Sequence, residues 1–138
     1  RTGAKVLAEV PRPLRMTQLP AATADSPSRV RTAVTAMQDR QAIDLLVLDL
    51  DEISEFTEYF LLCSGSSERQ VRAIADGVDE KLRQQGSRPL HVEGYDNGQW
   101  VLLDYGDFLV HIFSHEMREY YRLEKLWADA PDATSEFV

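Results

Sequence analysis

Three groups of residues have types and spacing that could do chemistry. Gly65-Ser66-Ser67 opens an apparent helix directly after the apolar run Tyr59–Cys63. Free N–H groups at a helix N-terminus bind anions. Beside converging carboxylates they would hold a metal ion and a triphosphate, the chemistry of nucleotidyl transfer. Asp49 and Asp51 precede the turn and Asp104 and Asp107 come long after it, and nothing in their spacing makes them converge. There is no P-loop, and the turn holds no Lys or Arg, so a tight turn with a helix cap accounts better for the triplet. It also lacks the nucleophile-elbow pattern. His111 and His115 would share one face of a helix and could ligate a metal. His111 lies in an apparent strand, however, and no Cys, Asp or Glu completes a zinc set at sensible spacing. The third group is Trp100 with Asp104 and Asp107. The two aspartates bracket Tyr105-Gly106, which is ordinary turn chemistry; they would equally make a polar rim beside an exposed Trp100, ready for a basic partner. Composition favours neither.

That third group sits in the stretch the chain is organised around, QWVLLDYGDFLVHIF at residues 99–113. Two apolar runs, Trp100–Leu103 and Phe108–Phe113, flank a Gly-containing turn and predict a β-hairpin. Alternation puts Trp100, Leu102 and Asp104 on one face and Val101, Leu103 and Tyr105 on the other. A strand apolar on both faces is covered on both. One cover is expected from the chain's own helices, the other from its remaining segments or a second molecule.

The other elements follow from period and punctuation. Residues 1–25 are expected to be a disordered leader, proline-containing and without apolar period; Met16 reads as a native start and residues 1–15 as an appended segment. Ser26 as N-cap with Pro27 in the first helical position predicts a helix to about Arg40, with Val30, Val34 and Met37 inward. Ile43–Leu50 and Tyr59–Cys63 read as strands. Ser67 with Gln70 forms a capping box for a long helix whose stripe is Val71, Ile74, Ala75, Val78 and Leu82 and which Gly86 ends. Leu90–Glu93 is a short strand. Ser114–Trp127 reads as one C-terminal helix with Tyr120, Leu123 and Trp127 on a shared face. The domain is expected over residues 26–130, with a tail at 131–138. The class is α/β (α+β-like): a small mixed sheet of about five strands with helices packed on it.

Composition narrows the partners. The 138 residues are 43% hydrophobic and 28% charged, with a formal net charge of -8, ordinary for one globular domain apart from the charge. Residues 1–15 hold four basic side chains and one acidic one, so the remainder is more acidic than the whole. That field is wrong for a direct nucleic-acid reader, which needs clustered Lys and Arg, and suits a basic partner bound in a salt-dependent way. No run of 18 apolar residues exists, so no membrane span is expected. The single cysteine, Cys63, reads as a buried small hydrophobe and suits a reducing compartment.

Three separated motifs, YFLLCSGSSERQVRAIADGV, VEGYDNGQWVLLDYGDFLVHIF and REYYRLEKLWADA, resemble in this order the ribosomal silencing factors, or Iojap-like proteins. The resemblance covers about residues 28–130. It implies a fold related in topology to nucleotidyltransferases, without enzymatic activity or cofactor. It implies a cytoplasmic translation repressor that binds ribosomal protein fourteen on the intersubunit face of the large subunit and blocks subunit joining, and a homodimer when free. Carried over residue by residue, it implies a partner-binding strand of Trp100, Val101, Leu102, Leu103 and Asp104 running into Tyr105 and Gly106, with Trp100 and Asp104 foremost. The alternative reading of the chain is a metal-dependent nucleotidyltransferase or nucleotide-binding module.

Overall fold

In the computed structural model, which describes residues 24–138, the first helix is started by Asp25. Its Oδ1 accepts from the Ser28 N–H at 2.9 Å, so Asp25 and not Ser26 is the N-cap. Ser26 is the first residue of α1 (Ser26–Asp39), and its hydroxyl instead donates to Asp107. The expected leader lies outside the described residues except for Ala24 and Asp25. Val30, Ala33, Val34 and Met37 recur at helical spacing and are fully buried.

Two strands follow, β1 (Ile43–Asp49) and β2 (Tyr59–Gly65), paired antiparallel. The long helix α2 (Glu68–Gln84) starts at Ser67, whose Oγ accepts from the Gln70 N–H at 3.0 Å. It ends where expected: Gly86 adopts φ +80, and the Gly86 and Ser87 N–H groups donate to the Arg83 and Leu82 carbonyls. Next come β3 (His91–Glu93), β4 (Trp100–Asp104) and β5 (Phe108–Ser114). The sheet order is β1-β2-β5-β4-β3; the central β2–β5 pair is parallel and the others antiparallel. The hairpin read at residues 100–113 is present. The parallel pair at the centre is the long-range feature that joins the two halves of the chain.

One face of the sheet carries Val47, Leu61, Cys63, Val101, Leu103, Val110 and Ile112, all buried against α1 and α2. Each such aliphatic side chain contributes about 1.5–3 kcal/mol when taken out of water, so this is the main core. The opposite face is a smaller cluster of Leu48, Leu50, Phe60, Leu62, Phe113 and Ala130, with Met117, Leu123 and Trp127 packed over it.

The C-terminal part departs from expectation in two ways. The single helix is two: α3 (His115–Tyr121) and α4 (Leu123–Leu126), broken at Arg122, which adopts the left-handed φ +48. The break turns Leu123 and Trp127 down onto the sheet while Tyr120 stays 76% exposed, so the three do not share a face. Residues 131–138 are not a free tail. The Asp49 N–H donates to the Pro131 carbonyl and the Ala133 N–H to that of Val47, along the outer edge of β1. A short helix α5 (Thr134–Phe137) then packs Phe137 edge-on to Tyr59 at 5.4 Å. Ala133 and Phe137 are apolar and buried; two residues spaced by four are too faint a period to read in a sequence.

Candidate partner-binding face

β4 gives the sheet its two-sided character. Val101, Leu103 and Tyr105 point to the α1–α2 side and are 0%, 2% and 5% exposed. Trp100, Leu102 and Asp104 point the other way and are half-buried. The alternation expected from the sequence is present: of the residues carried over as partner-binding, Val101, Leu103 and Tyr105 have side chains in the core, and Trp100, Leu102 and Asp104 have theirs on the outer side. Tyr105 stacks on Phe108 at 4.9 Å. Gly106 takes φ +89 at the turn, a conformation that suits glycine, and its N–H donates to Asp104 Oδ1 at 2.8 Å.

The two aspartates of the turn have separate roles. Asp107 accepts from Arg29 Nη1 at 2.7 Å and from the Ser26 hydroxyl, and so ties the hairpin to α1. Arg29 is buried, its guanidinium lying 5.1 Å over the Phe108 ring. Asp104 caps the turn, as its turn chemistry predicts, and is half-buried on the outer face of the strand.

Register builds the rest of the face. Across β4 and its neighbours, Trp100 stands beside Phe113, Leu102 beside His111 and Glu93, and Asp104 beside Leu109 and His91. The aromatic end is dense: the Trp100 ring lies 4.9 Å from Phe113 and 4.9 Å from Tyr121 of α3. Its Nε1–H donates to His111 Nδ1 at 3.1 Å. Burial holds His111 neutral, lowering its pKa to about 4. The α3–α4 corner covers the β1–β2–β5 side of this face. The β4–β3 side, with Leu102, Asp104, Leu109, His91 and Glu93, is half-buried or exposed. Leu102 and Leu109 give it apolar surface and Asp104 and Glu93 flank them with carboxylates, a combination found at protein interfaces. Leu109, His91, Glu93 and His111 share this side of the sheet with β4, which a reading of β4 alone does not reach. Leu109 follows from the same alternation one strand on; the β3 residues depend on pairing register, which carries no local signal.

The Gly-Ser turn is closed by its own chain. The Ser66 N–H and hydroxyl both donate to Gln70 Oε1 at 2.6 Å, and the Gln70 amide group donates on to the Arg40 and Gln41 carbonyls. A Cβ added at Gly65 would meet Val71 at 2.9 Å, so glycine is there for close packing on α2. These groups form a cap and a helix contact, and they engage the Ser66 N–H, the Ser66 hydroxyl and the Gln70 N–H within the chain. His111 is buried in the aromatic cluster while His115 is exposed at the start of α3. Among the described residues, no group of three or more His, Cys, Asp or Glu is placed to hold a metal ion. Cys63 is fully buried and its pKa is pushed up to about 12 by desolvation, which makes it an inert thiol. No described helix is long and apolar enough to cross a membrane.

Residues 23–138 match the family model described as ribosomal silencing factor during starvation. The chain is 44% identical over 110 residues to the ribosomal silencing factor RsfS of Bacillus subtilis, covering 80% of this chain and 93% of that protein. It is 30% identical over 97 residues to a mouse protein named mitochondrial assembly of ribosomal large subunit protein 1, covering 68% of this chain and 42% of that one. A crystal structure of a protein from Chromobacterium violaceum superposes with a TM-score of 0.74 at 32% identity, covering 76% of this chain and 88% of that chain.

Proposed function

The chain belongs to the ribosomal silencing factor family, and from that premise we propose that it is a ribosome-associated translation repressor acting by steric block. It binds a basic ribosomal protein, ribosomal protein fourteen, on the intersubunit face of the large subunit and prevents subunit joining. The observation that carries this reading is the half-buried outer side of β4, where Trp100, Leu102 and Asp104 lie in one row of a strand whose other side is core. An aromatic anchor beside desolvated aliphatic surface supplies affinity. Asp104, Glu93 and a net charge of -8 favour a basic partner and speed encounter with it. The mouse relative's name points to the large subunit.

The same reading has the protein acting in the cytoplasm as a binding module without catalysis, and self-associating as a homodimer when free. Leu90 and Val92, 68% and 48% exposed along the β3 edge, support self-association. The Ser66 N–H and hydroxyl, already bonded to Gln70, count against the nucleotidyltransferase alternative. Calorimetric titration with magnesium and nucleoside triphosphates should give no binding heat, and a saturable signal would favour that alternative.

Co-sedimentation of the full chain with purified large subunits tests the proposal. The protein should pellet with them, less so as salt rises, and bound subunits should join small subunits more slowly. Truncating a central aromatic anchor commonly costs about 2 kcal/mol, so Trp100→Ala should weaken association about thirtyfold. A folded Trp100→Ala variant that binds with wild-type affinity would remove this face from the interface.

A further inference from the structure

His111 is buried among Phe60, Trp100 and Phe113, with ring centroids at 4.8, 5.9 and 6.1 Å. Leu62 and Leu102 are its register neighbours on β2 and β4. The surroundings are those of a Leu or Phe. Packing alone does not explain an imidazole here, because its Nε2 is buried with no hydrogen-bond partner among the described residues. A buried polar atom without a partner is a cost that an apolar side chain would avoid. The one thing the imidazole provides is an acceptor: Nδ1, 3.1 Å from the indole nitrogen of Trp100. For Nδ1 to accept, the ring proton must sit on Nε2, which makes the unpartnered atom a consequence of the bond to tryptophan.

Resting on the proposed function of the Trp100 face, we propose that His111 is a positioning residue for partner binding, its Nδ1 fixing the half-buried Trp100 indole in the orientation the partner meets. The Phe113 and Tyr121 rings each pack 4.9 Å from the Trp100 ring, and neither forms a polar bond to it. The bond to His111 is what fixes rotation against those contacts. A ring held this way loses less freedom on association. Its N–H is also already engaged, so the partner meets the indole through its carbon surface and needs no acceptor opposite it.

The test uses the full chain and two readouts. Indole N–H exchange, followed by NMR, reports the hold on Trp100 without any partner; co-sedimentation with large subunits reports its consequence. In His111→Leu the Trp100 indole N–H should exchange at least about tenfold faster, and affinity should fall about tenfold. His111→Asn, which can place Oδ1 near the position of Nδ1, should recover both to within a few fold. In a Trp100→Phe background, which has no indole N–H, His111→Leu should have no further effect on affinity. Unchanged exchange in His111→Leu overturns the proposal, as does faster exchange with wild-type affinity. Should His111→Leu not fold, His111→Phe, which also removes the acceptor, takes its place with the same expected and overturning outcomes. Wild-type affinity in Trp100→Ala is a different failure, that of the face itself.

Discussion

Arg29 Nη1 and Asp107 Oδ2 stand 2.7 Å apart across 78 residues of chain, joining the first turn of α1 to the β4–β5 turn. Their side chains are 8% and 20% exposed. Removing one partner of a buried pair strands the other charge and typically costs about 3–5 kcal/mol. Asp107→Ala should therefore lower unfolding free energy by about 3 kcal/mol in urea titration. Arg29→Met combined with Asp107→Leu should recover much of that loss. A loss below about 1 kcal/mol in the single variant would mean that water reaches the guanidinium.

Asp104→Asn separates the two roles of its carboxylate. The amide oxygen can still accept from the Gly106 N–H, so the turn and the melting temperature should hold. The charge is lost, and with it part of the attraction to a basic partner. Large-subunit association measured from low to high salt should show a shallower decline than wild type. Identical salt slopes would place Asp104 outside the contact.

His111 should make stability depend on pH. Its pKa is about 4 in the folded protein, against an ordinary value of 6.5, because burial disfavours the charged ring. Between these values the unfolded chain carries a proton that the folded one does not. This contribution to stability is complete above about pH 6.5, is lost as pH falls toward 4, and is gone below that. One pKa unit corresponds to about 1.4 kcal/mol, so the whole effect is roughly 3 kcal/mol. Urea titrations from pH 7 to pH 4 should show the decline in wild type and a decline smaller by that amount in His111→Leu.

Phe137→Ala tests whether the last residues belong to the fold. Phe137 is 6% exposed, edge-on to Tyr59 and beneath the Arg31 guanidinium. Truncating a buried Phe costs about 3–5 kcal/mol, and thermal unfolding should move down accordingly. A shift of less than a degree would return residues 131–138 to the status of a tail.

Local signals are legible where one element decides its own shape. The Ser67–Gln70 cap, the stripe from Val71 to Leu82, the terminating Gly86 and the alternation of β4 are all visible in short windows. What escaped depends on distant parts of the chain. Arg122 breaks the C-terminal helix through a left-handed turn that its residue type does not announce. Asp107 was legible as a turn residue but not as the partner of Arg29. The face itself was half legible: the sequence pairs Trp100 with Asp104, while His91, Glu93 and the buried His111 join them only through strand register.

The segment Pro131–Thr134 along β1 has a consequence for the order in which the protein can be made. Val47 N–H bonds Thr134 Oγ1 across 87 residues, and Arg31 reaches the Glu136 carbonyl across 105. Synthesis runs at about 5–20 residues per second, so β1 exists for on the order of 5 to 20 seconds before its closing segment does. For that interval its outer N–H and C=O groups are available to any other strand. Completion of this sheet is therefore a late event in the life of the nascent chain, and prematurely terminated products are the ones expected to associate edge to edge.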